Sequence, residues 1–150
     1  MMTAPLPVQE VERLRVLQEL VRLNDLADDP ALQAVVRLVH RYTGWPMNAI
    51  SLVEPERQWF PAEIGLGVSE TPRAIAFCAH AILGTATMEV EDATRDARFA
   101  DNPLVTGAPY IRAYAGVPLM VDGQAIGTVC TISPQPSRLG EAERAALRDL

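Results

Sequence analysis

The most regular pattern in the chain is the alternation from Ile111 to Val121, followed after Asp122-Gly123 by a second apolar run to Ile132. Successive side chains of a strand point to opposite faces. Ile111, Ala113, Ala115, Val117, Leu119 and Val121 therefore form one face, and Arg112, Tyr114, Gly116, Pro118 and Met120 the other. Asp-Gly supplies the two positive φ angles of a type I′ turn, so the stretch reads as one long hairpin. Its first face is wholly apolar and needs a cover of helices. Its second face carries a guanidinium, a phenol and a glycine, which suits the wall of a small-molecule pocket. With a two-residue turn, Val121 pairs with Gln124 and Ala115 with Cys130, and Ile126, Thr128 and Cys130 join the apolar face. Pro118 has no donor for the ladder and predicts a bulge that can shift this register.

Helical periodicity marks three further segments. Residues 8–23 carry two apolar stripes, Leu14, Leu17, Val21 and Val16, Leu20, Leu23. One suits the domain and the other a second copy of the chain. Asp28-Asp29-Pro30 opens a second helix, with Asp29 as N-cap and Pro30 at the first helical position. Leu32, Val35, Val36 and Val39 form its face, and Gly44 and Pro46 end it. Thr71-Pro72 reads by the same logic as the start of a third helix, running through Cys78 and His80 to Gly84. A last helix begins at Glu141, with Ala142, Ala146, Leu147 and Leu150 on one face. Its pattern is still periodic at the final residue, which suggests either a following segment or a free-standing domain.

Between the helices, Met47–Val53 reads as a central strand covered on both faces. Residues 58–64 form a second strand, placed at an edge by Pro61. Residues 87–91 form a short third strand. Residues 92–106 are mostly loop, with a helical turn at 96–100. The whole is one domain spanning 1–150, with 1–7 as a flexible lead-in and 139–150 as the start of the C-terminal helix.

Composition narrows the function classes. The chain has 150 residues, enough for one well-cored domain, and no apolar run long enough to span a membrane. Its start has neither a basic n-region nor an apolar h-region, which points to a cytoplasmic protein. A net charge of −6 argues against nucleic acid as a partner, because phosphate binding needs clustered positive charge. Two cysteines in such a chain read as reduced thiols.

Four segments in order, RQWFPAEIGL (57–66), ETPRAIAFCAHAIL (70–83), VEDATRDARFADNPLVTGAPYIRAYAGVPL (90–119) and GQAIGTVCTIS (123–133), closely resemble the GAF domain. The resembling branch is the bacterial one found beside histidine kinases and diguanylate cyclases. The resemblance runs from about Glu12 to the end of the chain. It implies an α+β fold: a central antiparallel sheet of five or six strands, the terminal helices bundled on one face, and a pocket under a short helix and loops on the other. It also implies a homodimer joined through the first and last helices, and a two-component or diguanylate cyclase output domain as partner. The motif of the cyclic-nucleotide-binding branch is not visible here.

Within that frame the ligand-binding candidates are Cys78, His80, Asp92, Arg98, Phe99, Asn102, Arg112 and Tyr114. No catalytic or metal-binding set is assigned, and the cofactor is unknown. Cys78 and His80 lie two apart on a helix and do not share a face. Cys130, placed by the regular hairpin on the helix-covered side, is out of reach of Cys78. Asp92 with Arg112, or Arg98 with Glu70, would lock the loop over the pocket. The function implied is a non-catalytic sensory module that binds a small molecule or a partner domain. Alternatives are a structural dimerisation module, a cysteine-dependent reductase, and a haem or bilin sensor.

Overall fold

The computed structural model describes residues 2–27 and 29–149. Asp28 and Leu150, assigned above to helix ends, lie outside the described residues. The described chain is an α+β layer structure around one six-stranded antiparallel sheet. Its strands are β1 (Met47–Val53), β2 (Arg57–Ile64), β3 (Glu70–Pro72), β4 (Met88–Val90), β5 (Ala113–Val121) and β6 (Gln124–Ser133), in the order β3-β2-β1-β6-β5-β4. Three helices lie on one face: α1 (Glu10–Leu23), α2 (Pro30–Thr43) and α5 (Glu141–Asp149). Two short helices, α3 (Phe77–Ala81) and α4 (Pro103–Thr106), lie with the long loops on the other.

α2 follows its sequence signals closely. Asp29 accepts a hydrogen bond from the Ala31 N–H at 2.8 Å, and Gly44 closes the helix in the left-handed region at φ 68°. Its apolar stripe, Val36 and Val39, packs on Ile50, Ala113, Ala115 and Val129, with Leu147 of α5 beside it. Replacing Asp29 by alanine removes a cap of about 1 kcal/mol. The expected result is a melting temperature lower by about 2–4 °C, read by thermal denaturation.

Two elements differ from the sequence reading. Thr71-Pro72 does not open a helix. It belongs to the edge strand β3, where Glu70 pairs with Trp59 and Pro72 with Arg57. A proline costs nothing at a sheet edge, and Arg57 holds this edge by an ion pair to Glu70 at 2.7 Å. The chain then makes a 3₁₀ turn over 73–75 before the five residues of α3. Strand β2 is consequently second from the edge. Pro61 falls where β3 no longer covers β2, at the irregularity opposite Ser51 that separates the Ile50–Ala62 and Leu52–Trp59 pairs.

The hairpin forms with the expected turn, Asp122 and Gly123 both at positive φ and Val121 opposite Gln124. The bulge falls near the expected place, but its extra residue is on the second strand. Met120 pairs with Ala125 and Leu119 with Gly127, which leaves Ile126 unopposed. Beyond it the register moves by one, and Cys130 faces Gly116 instead of Ala115. A one-residue slip exchanges the two faces of a strand. Thr128 and Cys130, expected under the helices, therefore point to the opposite layer, whereas Ile126 packs under Val16 and Leu17 of α1.

The bulge has a dedicated partner. Arg13 of α1 is 1% exposed and directs Nη1 at the carbonyls of Ala125 and Ile126, at 3.5 and 3.4 Å. Glu10 holds that guanidinium with both carboxylate oxygens, at 2.8 and 2.9 Å, and accepts Nη1 of Arg73 at 2.6 Å. Arg73 also donates to the Glu54 carbonyl at 3.2 Å. A buried Arg–Glu–Arg triad thus ties α1 to the hairpin and to the segment that leads into α3.

Candidate functional site

The face of the sheet away from α1, α2 and α5 encloses a cavity of about 240 Å³. Strand alternation supplies its floor. Gln58 and Phe60 come from β2, Tyr114 from β5, and Cys130 and Ile132 from β6. Phe77 and Cys78 of α3 form one wall, Leu104 and Ile111 another, and Ala108 and Pro109 part of the rim. Leu66, Val68 and Thr71 complete the lining, and Val68, 49% exposed, marks the mouth.

Gly116 explains how Tyr114 reaches the floor. The two residues share a face, and a Cβ at 116 would collide with the Tyr114 ring and hydroxyl. The missing side chain lets the phenol lie along the strand and place Oη 3.2 Å from Cys78 Sγ. Thr128 donates to the same sulfur at 3.0 Å, and Cys130 lies within its hydrogen-bonding reach. Burial pushes the Cys78 thiol up, but hydrogen bonds from Cys130, Thr128 and Tyr114 outweigh it and bring it down to about 6. Cys130 moves the opposite way, held well above its ordinary value by its hydrogen bond to Cys78, by burial and by the Cys78 charge. The pair therefore gives up one proton easily and retains the second. Tyr114 is also pushed up, by burial first and then by the two thiols. The expectation that Cys130 and Cys78 lie in different layers fails because of the Ile126 bulge: both line the cavity.

Of the eight candidate residues, Cys78 and Tyr114 line the cavity. Three others hold its walls from behind. Phe99 is fully buried and stacks on Phe77 with ring centroids 3.9 Å apart. Asn102 caps α4 through the Leu104 N–H and donates to the Ile75 carbonyl at 3.0 Å. Arg112 donates to the carbonyls of Val105 and Ile111, at 2.9 and 3.0 Å. The remaining three lie on the outer side. His80 contacts the Met2 carbonyl at 3.0 Å and sets its ring edge-on to Phe99. Asp92 caps the turn at Thr94, and Arg98 pairs with Asp96 at 2.8 Å. The loop is thus pinned by near neighbours rather than by Asp92–Arg112 or Arg98–Glu70; Glu70 is engaged by Arg57.

The lining residues that sequence reasoning missed are chiefly apolar. Gln58 and Phe60 were available from β2 alternation, and Leu66 and Val68 from their spacing across the Gly65–Gly67 loop. Cys130 joins them only through the register shift at Ile126.

The model of the GAF domain family matches residues 29–150. A cyclic di-GMP phosphodiesterase of Pseudomonas aeruginosa is 42% identical over 137 residues, which cover 91% of this chain. The chain spans only 23% of that relative's length. Among solved structures, the GAF domain of an Acinetobacter phosphoenolpyruvate-protein phosphotransferase superimposes with a TM-score of 0.67 at 22% identity, covering 96% of this chain and 89% of that one. A type II free methionine-R-sulfoxide reductase of Thermoplasma acidophilum has the same TM-score of 0.67 at 16% identity, covering 83% and 89%. These two share the fold, and the family match, the relative and the six-stranded sheet with its enclosed cavity agree: this chain belongs to the GAF domain family.

Proposed function

We propose that this chain is a non-catalytic sensory module whose cavity takes a small molecule and whose terminal helices pass occupancy to an output domain. The observation that carries this reading is the Glu10 triad. Arg73, one turn before the cavity wall at Cys78, shares the Glu10 carboxylate with Arg13, so a movement of that wall acts directly on α1. Cys78 and Tyr114 contact the ligand, and Phe99, Asn102 and Arg112 hold the wall around it. His80, Asp92 and Arg98 act from the outer side of that wall. The module works as a dimer in which Val8, Val11 and Leu23, all exposed on or beside α1, meet a second copy. The name of the P. aeruginosa relative supports a cyclic di-GMP phosphodiesterase as the output domain, and the resemblance noted in the sequence keeps a diguanylate cyclase or a histidine kinase as the alternatives.

A cavity-filling variant tests the relay without knowledge of the ligand. Leu104→Trp places an indole where the wall is partly buried. The expected result is altered hydrogen exchange in residues 10–23, measured by mass spectrometry, in a protein that still sediments as a dimer. Unchanged exchange in α1 in a folded, dimeric variant would leave a structural dimerisation module as the better reading.

A further inference from the structure

Resting on that reading of the cavity, we propose that its ligand is a neutral, largely apolar molecule of about ten non-hydrogen atoms, bearing one hydrogen-bond acceptor to which the Thr71 hydroxyl donates. Size sets the first limit. A buried apolar cavity of about 150 Å³ accommodates benzene, and the space here is about 240 Å³. A nucleotide carrying base, sugar and phosphate exceeds it.

Charge sets the second limit. Among the described residues, no Asp, Glu, Arg or His lines this cavity. An anion placed inside would have no cationic partner and none of the donors that hold the Cys78 sulfur, and a charge without such partners taken out of water is strongly disfavoured. The arginines nearest in sequence are already engaged: Arg57 with Glu54 and Glu70, Arg73 with Glu10, and Arg112 with backbone carbonyls.

The polar groups of the lining set the third. Gln58 is engaged at both ends, its Oε1 accepting from Ser51 at 3.0 Å and one N–H of its Nε2 donating to Thr71 Oγ1 at 2.6 Å. Cys78, Tyr114 and Thr128 bond one another on the floor. Thr71 accepts from Gln58, and its own hydroxyl proton remains for an acceptor near the mouth. A ketone, ether or ester oxygen on an otherwise apolar body matches this arrangement.

Acetophenone, benzoate and ethylbenzene have nearly one shape and separate these requirements. Isothermal titration of the full chain is expected to show one saturable site for acetophenone, with benzoate weaker by at least about 100-fold. Thr71→Val should weaken acetophenone by about tenfold and leave ethylbenzene unchanged. Leu104→Trp, where it retains the native melting temperature, should abolish both. Benzoate or cyclic GMP binding as tightly as acetophenone would overturn the ligand class and leave the cavity as a sensory site. Equal losses for acetophenone and ethylbenzene in Thr71→Val would overturn the role of Thr71. Absence of binding by every probe at millimolar concentration would overturn the ligand class, whereas the sensory reading falls only if exchange in α1 is unchanged in Leu104→Trp.

Discussion

Glu10→Ala is expected to lower the melting temperature by about 6–12 °C, the largest single loss among the substitutions considered. The carboxylate is 12% exposed and accepts from two guanidinium groups, one of them 1% exposed. Its removal leaves Arg13 buried beside the bulge carbonyls with no counter-charge, a loss of about 3 kcal/mol, which converts to the stated temperature shift for a domain of this size. Acid should reproduce part of the effect. Burial raises the Glu10 carboxyl, but hydrogen bonds from Arg13 and Arg73 outweigh it and hold the group down to about 2, from an ordinary 4.5. A depressed folded value means that the contribution is complete above the ordinary value and is lost as pH falls towards 2. Solvent screening reduces it to about 2 kcal/mol. Melting curves between pH 7 and pH 2.5 should therefore fall more steeply for the native chain than for Glu10→Ala. Parallel curves would show that the triad does not hold α1.

The second large effect concerns Cys78. Its alkylation by iodoacetamide should rise with pH, reach half its plateau near pH 6 and level off above pH 7, because the thiolate is the nucleophile. An ordinary thiol reaches half its plateau only near about pH 8.5. The titratable groups facing the sulfur are Cys130 and Tyr114, and both stay protonated through this range. Thr128→Val keeps the shape and removes one donor, which should move the midpoint up by about one unit. Iodoacetate, the anionic reagent, should react far more slowly than iodoacetamide, since no cation lines the approach. Kinetics are read by intact mass, with Cys78→Ser as the control. A midpoint above pH 8, or no reaction before unfolding, would assign Cys78 to packing alone.

The parts of the fold legible in the sequence are those set by local chemistry. Asp29, Pro30 and Gly44 delimit α2, Asp122-Gly123 sets the turn, and the unbroken apolar run of Met47–Val53 becomes the central strand. Tyr114 could be placed on the cavity side because it precedes the bulge's influence: β5 alternates regularly and only its partner slips. What escaped depends on distant partners. Thr71-Pro72 carries the residues of a helix start, and only the pairing with Arg57 and Trp59 makes it a strand. Charged loop residues such as Asp92 and Arg98 drew attention as ligand contacts, but short-range ion pairs and caps consume them. The actual lining is mostly apolar and therefore looks like ordinary core.

The extra residue at Ile126 also changes what a deletion would do. In a regular strand, the loss of one residue inverts every side chain that follows. Here, deleting Ile126 would restore uninterrupted pairing from the turn onward while Thr128, Cys130 and Ile132 kept their partners and their orientation toward the cavity. The chain would lose the Ile126 contact with α1 and one of the two carbonyls that Arg13 engages. The cavity and the seat of α1 are thus separable by a single codon, and a lineage could change one without rebuilding the other.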